Sequence, residues 1–131
     1  MIFVDSNIPM YLVGAEHPHK HDALTLLERL ISEKKKLVTN TEVLQEILHR
    51  YSAIRKKEAI QPALDALYGF IDEVFVVTEE DVLKGKDLLL SYENISARDA
   101  LHVAQMKRLK IDTLFSFDKG FDIFPGIKRI S

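Results

Sequence analysis

The sequence contains no cysteine. Disulfide bonds and thiolate metal sites are therefore excluded, and this composition is typical of proteins in a reducing compartment. A long apolar run is also missing, because Asp5 ends the first one, Ile2 to Val4, after three residues. Neither a signal peptide nor a membrane-spanning helix fits so short a run, and we expect a cytoplasmic protein that does not enter the membrane.

An excess of positive charge is missing as well, since the net charge is −2 at pH 7. This balance argues against a protein that binds nucleic acid through its overall charge. Basic residues nonetheless occur in short clusters, which most often mark solvated helix ends favoured by the helix dipole. These clusters are Lys34–Lys36, Arg55–Lys57, Lys107-Arg108 with Lys110, and Lys128-Arg129.

No serine/glycine-rich linker, change of composition or internal repeat divides the chain. Its 131 residues are 47% apolar and 29% charged, a balance with enough apolar mass for one globular core. We therefore expect a single domain over residues 1–131.

Short apolar runs alternate with amphipathic helical patterns along the chain. Strands are predicted at residues 2–5, 37–38, 74–77, 113–117 and 127–130. Helices are predicted at residues 8–13, 23–31, 43–51, 60–71, 79–92 and from 96 onward, with Asn7 capping the first and Leu24 and Ile31 on the apolar face of the second. Strands separated by helices favour right-handed crossovers, so the predicted fold is a three-layer α/β/α sandwich with a mostly parallel central sheet.

Four acidic residues are informative because of where they lie in this pattern. Asp5 follows the first strand, Asp118 follows the fourth, Asp99 lies in the first turn of a helix, and Glu46 lies within another helix. Each has an ordinary explanation when taken alone, such as a helix cap or a polar turn. In an open α/β sheet, however, the carboxyl ends of the strands form the ligand crevice, where we expect these carboxylates to meet.

Carboxylates gathered in one crevice need a counter-charge. Two like charges ~4 Å apart repel by ~4 kcal/mol at an effective dielectric constant of 20, and such repulsion raises the pKa of each acid. Mg²⁺ and Mn²⁺ prefer oxygen ligands and would relieve the repulsion. A metal can activate water for attack on phosphorus, and a second metal roughly 3.5–4 Å away can stabilise the leaving oxygen, so no side-chain nucleophile is required.

Four ordered segments resemble the motifs of the PIN domain family, and within it of the small VapC-type toxins. The segments are Val4–Asn7, Thr41–Leu48, Ala97–Ala104 and Leu114–Phe121, and together they span nearly the whole chain. The resemblance implies a Mg²⁺- or Mn²⁺-dependent endoribonuclease that hydrolyses RNA phosphodiester bonds. It also implies a toxin that often forms a homodimer and has a small antitoxin protein as its partner.

The resemblance also implies roles for individual residues. The acidic quartet of the family corresponds to Asp5, Glu46, Asp99 and Asp118, as metal ligands and catalytic residues. The polar position after the first acid corresponds to Ser6 and Asn7, and Asn7 would orient a metal-bound water. Ser116 stands where the family often has threonine, and Asp122 would be a fifth, outer carboxylate.

Several assignments have alternatives. Glu42 lies one helical turn before Glu46 and could replace it. His102 lies one turn after Asp99 and is expected to be a packed or supporting residue rather than a base. In the segment His17-Pro18-His19-Lys20-His21, His17 and His21 would share a helix face and suggest zinc, but Pro18 favours a loop or helix start and no histidine or cysteine outside the segment is close.

Basic residues near the end of the Glu46 helix are candidate RNA contacts. They are Arg50, Arg55, Lys56 and Lys57.

Two other functions remain open: a non-catalytic PIN-like scaffold that binds RNA or protein, and a receiver-like regulatory domain. The receiver fits poorly, because the third strand is followed by Thr78-Glu79 rather than by aspartate.

Overall fold

The computed structural model describes all 131 residues as five β-strands and six α-helices. The strands are β1 (Ile2–Val4), β2 (Leu37–Asn40), β3 (Glu73–Phe75), β4 (Thr113–Phe115) and β5 (Lys128–Ile130). The helices are α1 (Asn7–Val13), α2 (Pro18–Ser32), α3 (Thr41–Ala53), α4 (Ile60–Tyr68), α5 (Glu79–Ser91) and α6 (Ala97–Arg108). Two short 3₁₀ helices cover Lys57–Ala59 and Lys119–Ile123.

All neighbouring strands are parallel, in the order β3-β2-β1-β4-β5. Strand β1 is central, and Val4 pairs with Phe115 of β4. The next residue, Asp5, extends the pairing by donating its backbone N–H to the Phe115 carbonyl at 3.0 Å. This register confirms the prediction that the first and fourth strands end side by side.

Two apolar cores cover the two faces of the sheet. On β1, Phe3 contributes to one core, while Ile2 and Val4 contribute to the other, as alternation along a strand requires. Helices α3, α4 and α6 supply the first core, and α1 and α2 supply the second. The predicted three-layer α/β/α sandwich with a parallel sheet is confirmed. None of its helices combines the length and apolar character that crossing a bilayer would require.

Local details depart from the predicted pattern at the periphery. Strand β3 is shorter than the predicted 74–77, and Val76 is 68% exposed. Strand β3 lies at the edge of the sheet and pairs only with β2, and this pairing ends at Phe75. On α2, Leu24 and Ile31 are 46% and 51% exposed, while Leu26 is buried. This helix packs on one sheet face only, so the flanks of its broad apolar stripe remain in solvent.

Candidate active site

The carboxyl ends of the central strands open into a groove of about 670 Å³. Asp5 enters it from the end of β1, and Asp118 from just beyond β4. Asp99 comes from the first turn of α6, and Glu46 from α3, which begins directly after β2. The structure thus brings together all four acids selected from the sequence.

Asp5 is buried and held by hydrogen bonds from three directions. Its Oδ1 accepts the backbone N–H of Ser6 at 2.8 Å, and its Oδ2 accepts the Ser116 hydroxyl at 2.7 Å. The side-chain amide of Asn7 donates to the same Oδ2 at 3.2 Å. The Ser116 hydroxyl also accepts the backbone N–H of Asp118 at 3.0 Å. Ser116 therefore links Asp5, which follows β1, to Asp118, which lies just beyond β4.

Asn7 acts differently from the prediction. It is the first residue of α1 rather than its cap, and Ser6 in the cap position makes no side-chain capping bond. The amide Nδ2 donates to Asp5 and, at 3.1 Å, to Ser116, while Oδ1 accepts the backbone N–H of Phe117 at 3.3 Å. With both of its amide N–H groups engaged, Asn7 positions the Asp5 carboxylate.

Two carboxyl groups in the groove have strongly raised pKa values. Burial is the main cause of the raised pKa of Asp5, about 6, with contributions from the charges of Glu46 and Asp118 against the hydrogen bonds from Ser116 and Ser6. Burial likewise raises the pKa of Asp99 to about 7, assisted by the charges of Asp118, Asp5 and Glu46. Mutual repulsion of this kind is what the sequence predicted for acids that share a crevice.

Glu46 is the one acid of the four with a cationic partner. Its Oε1 accepts the Ser6 hydroxyl at 2.7 Å, and its Oε2 accepts Nη1 of Arg98 at 3.0 Å. Arg98 also lies 3.6 Å from Glu42, which does not line the groove. The structure therefore places Glu46, and not Glu42, among the groove acids. Sequence reasoning missed Arg98, although its position immediately before Asp99 was a usable signal.

Asp118 is the most exposed of the four acids. Its Oδ1 accepts the backbone N–H of Gly120 at 2.8 Å, which folds the chain back over the carboxylate. A Cβ at Gly120 would lie 3.0 Å from that oxygen, so the close approach favours glycine there. Asp118 thus begins the second 3₁₀ helix as its cap while facing the groove.

Asp122, expected as a fifth carboxylate, does not line the groove. It forms two hydrogen bonds with Arg129, at 2.8 Å to Nε and 3.1 Å to Nη2, and these bonds lower the pKa of Asp122. Arg129 also donates from Nη1 to the Ser116 carbonyl at 3.1 Å. Asp122 therefore anchors β5 to the end of β4 through Arg129 and is not available as an outer ligand.

The walls of the groove differ in chemistry. Arg50 and Lys56, near the end of α3, line one part, whereas the other two predicted RNA contacts, Arg55 and Lys57, do not. The rings of Tyr11 and His17 line another part, with their centroids 5.0 Å apart. Tyr11 also packs edge-on against Phe117, the neighbour of Asp118, at 5.4 Å.

The donor atoms in the groove fit a divalent cation. Oxygen ligands from Asp5 and Glu46, with a ring nitrogen of His102, lie within 4.8 Å of one another and form a set that could hold a metal ion. Asp99 and Asp118 line the same groove outside this closest set. Because the raised pKa values reflect burial and repulsion among acids, a cation placed among them would favour their ionised forms.

Comparison with known proteins identifies relatives along the whole chain. The sequence profile of the PIN domain matches residues 2–127. Ribonuclease VapC13 of Mycobacterium tuberculosis is 60% identical over 131 residues, which is 100% of both chains.

Solved structures show the same fold. The toxin VapC20 of Mycobacterium tuberculosis, described as cleaving the sarcin-ricin loop, superposes with a TM-score of 0.76 at 22% identity over 93% of each chain. The complex VapBC2 of Rickettsia felis, solved bound to a DNA fragment from its promoter, gives a TM-score of 0.75 at 21% identity, covering 99% of this chain and 98% of that one.

Proposed function

This chain belongs to the PIN domain family, within it to the VapC ribonucleases, and we propose that its acidic groove hydrolyses RNA phosphodiester bonds with Mg²⁺ or Mn²⁺. The observation that carries the proposal is the convergence of Asp5, Glu46, Asp99 and Asp118 on one groove. Four carboxylates with a single cationic partner among them make a site for hard cations and, through the cations, for phosphate.

Each residue has a distinct part in this proposal. Asp5, Asp99 and Asp118 hold the metal, since no lysine or arginine forms an ion pair with them. Glu46 joins them from α3, and its charge is partly balanced by Arg98. A bound divalent ion supplies Lewis acidity toward the scissile phosphate and lowers the pKa of water.

The supporting residues keep the site rigid. Ser116 and Asn7 hold one oxygen of Asp5, and Ser6 bonds both Asp5, through its backbone, and Glu46, through its hydroxyl. Rigid placement of this kind reduces the reorganisation needed when the reacting groups are brought together.

The groove walls suit a single-stranded RNA. Arg50 and Lys56 provide positive charge for phosphates, and Tyr11 and His17 provide ring surfaces on which unpaired bases can stack. We assign the substrate class on this basis as RNA with unpaired nucleotides at the cut site. We also propose that the protein acts in the cytoplasm, where an RNA of this kind is available.

A partner protein and self-association complete the proposal. One solved structure that shares this fold is a toxin–antitoxin complex from Klebsiella pneumoniae, and we propose an antitoxin partner for this chain as well. A homodimer is supported by exposed apolar side chains on α5, where Leu83 and Leu90 lie seven residues apart and Leu90 is 80% exposed. Light scattering should give the mass of a dimer for the wild type and of a monomer for Leu90→Lys.

Cleavage of a labelled single-stranded RNA tests the enzymatic proposal. Wild-type protein should cut the RNA with Mg²⁺ or Mn²⁺ and stop on addition of EDTA, while Asp5→Asn and Asp99→Asn should lose cleavage and keep their folded circular dichroism spectra. Asp65→Asn, which changes an exposed acid on α4 that does not line the groove, is the matched control and should cut normally. Full cleavage by Asp5→Asn would remove that residue from the mechanism. RNA binding without cleavage by the wild type would favour the non-catalytic scaffold.

A further inference from the structure

A chain of buried polar side chains leads from the α5–α6 surface to the acidic groove. Arg108 bonds both oxygens of Asp81, which also accepts the amide of Gln105 at 3.1 Å. The Gln105 carbonyl accepts Nδ2 of Asn40 at 2.9 Å, and the same Nδ2 lies 3.0 Å from Nδ1 of His102. Asp81, Gln105, Asn40 and His102 are all buried to about 1% exposure or less.

The orientation of the Asn40 amide is fixed by a third contact. Asn40 caps α3, and its Oδ1 accepts the backbone N–H of Val43 at 2.9 Å. Its nitrogen, which only donates, must therefore face His102. Nδ1 of His102 consequently accepts a hydrogen bond, so the ring is neutral and its hydrogen lies on Nε2.

The Nε2–H group has no partner within the protein and is buried. A ring nitrogen of His102 lies within 4.8 Å of carboxylate oxygens from both Asp5 and Glu46, a separation that one hydrogen-bonded water can span. Because Asn40 already occupies Nδ1, Nε2 is the nitrogen left to bond toward these acids. Buried polar groups without a partner are uncommon in folded proteins, which points to a ligand or water at this end of the ring.

We propose that Asn40 locks His102 as a neutral N–H donor toward the Asp5 and Glu46 carboxylates, and thereby keeps the imidazole from ligating a metal. This inference rests on the metal site of the proposed function. A histidine ligand would favour zinc and similar metals, whereas a site of oxygen ligands alone favours Mg²⁺ and Mn²⁺. His102 is therefore a positioning residue that directs the choice of metal without touching it.

Long-range ¹H–¹⁵N NMR of the metal-free wild-type protein measures the lock directly. The His102 signals should show Nε2 carrying the hydrogen and Nδ1 without one, and Mg²⁺ should leave that tautomer unchanged. A hydrogen on Nδ1, or loss of the Nε2 hydrogen when Mg²⁺ is added, would overturn the proposal. Because no RNA is present, this result is independent of whether the protein cleaves RNA.

Asn40→Asp tests the consequence for metal choice. Aspartate also caps helices well, so α3 should keep its start, but the introduced carboxylate only accepts and requires a hydrogen on Nδ1. The lone pair of Nε2 is then free, and calorimetry should find Zn²⁺ binding at least about tenfold tighter than in the wild type. Adding His102→Gln to this variant should cancel the gain.

If Asn40→Asp moves the His102 hydrogen to Nδ1 but leaves Zn²⁺ affinity unchanged, His102 does not direct the choice of metal. If the hydrogen stays on Nε2 in this variant, Asn40 does not fix the tautomer. Should the variant not fold, the wild-type spectrum alone still decides the tautomer.

Discussion

Nη1 of Arg98 lies 3.0 Å from Oε2 of Glu46, which joins the second residue of α6 to the one groove acid contributed by α3. Asp99 follows Arg98 directly, so of two successive residues of α6 one lines the groove and the other pairs with the groove acid Glu46. Arg98 thereby offsets part of the repulsion that the four carboxylates would otherwise exert on one another.

Arg98→Gln should destabilise the metal-free protein and strengthen its response to metal. The ion pair is partly exposed, so we expect the free energy of unfolding to fall by about 0.5–1 kcal/mol without metal. With Glu46 released, Mn²⁺ should raise the melting temperature of the variant more than that of the wild type. Arg98→Lys keeps the positive charge and should behave more like the wild type. An equal Mn²⁺ response in Arg98→Gln and the wild type would show that the pair does not restrain Glu46.

Metal-free stability should fall as the pH rises from 4 to 8. The pKa values of Asp5 and Asp99 are raised from 3.8 to about 6 and about 7, so folding favours their protonated forms. Their stabilisation is complete below pH 4 and is lost as the pH passes through 6 and 7. For buried Asp5 the loss is about 3 kcal/mol, at about 1.4 kcal/mol per pKa unit. Urea unfolding at several pH values with EDTA measures it.

Asp5→Asn is the control for that pH dependence, because an amide cannot ionise. The variant should be more stable than the wild type at pH 8 without metal, and this advantage should shrink steadily as the pH falls toward 4. Millimolar Mn²⁺ should flatten the wild-type profile but not that of the variant. A wild-type profile that rises from pH 5 to pH 8 in EDTA would contradict the raised pKa values.

Removing the two groove cations should weaken RNA binding and its salt dependence. For Arg50→Ala combined with Lys56→Ala, the slope of log affinity against log salt should decrease by about 1.4, at about 0.7 per phosphate contact on a single strand. Lys34→Ala with Lys35→Ala is a matched control, since these lysines precede β2 at the opposite end of the sheet. Fluorescence anisotropy of catalytically inactive protein gives both slopes, and equal losses in the two pairs would show that charge alone, not the groove, binds RNA.

Tyr11→Leu should raise KM for RNA more than it lowers kcat. Leucine retains the apolar packing beside Phe117 but removes the ring surface in the groove. Loss of one stacked base costs about 1–3 kcal/mol, or a roughly 5- to 150-fold weaker interaction. Tyr68→Leu, at an exposed ring on α4, should leave both constants unchanged. A kcat effect with unchanged KM would place Tyr11 in the chemistry rather than in substrate binding.

The acidic positions could be predicted because they follow from local pattern and topology. Asp5 and Asp118 come directly after apolar strands, and neighbouring parallel strands end at one edge, so their meeting requires no knowledge of side-chain packing. The capping box of Thr78 and Asp81 at the start of α5 likewise depends on local sequence alone, because both of its bonds lie within four residues.

The remaining features depend on contacts between distant elements. Arg98 could have faced solvent, and its pairing with Glu46 depends on how α6 packs beside α3. Asn7 fits a helix cap by local rules, but its side chain bonds instead to Ser116 and Phe117, which follow β4. The tautomer of His102 depends on Asn40, 62 residues away in the chain. Sequence patterns therefore did not predict which side chains of different helices and strands would contact one another.

Diffraction from crystals soaked in Mn²⁺, recorded at the manganese absorption edge, is the most direct test of the metal-dependent groove. An anomalous peak should lie in the groove, with carboxylate oxygens of Asp5 and of Asp99 or Asp118 at about 2.0–2.3 Å and no contact to His102. The peak should vanish in Asp5→Asn crystals. Manganese bound only outside the groove, or no peak at a millimolar soak, would contradict the assignment of these carboxylates to a nuclease metal site.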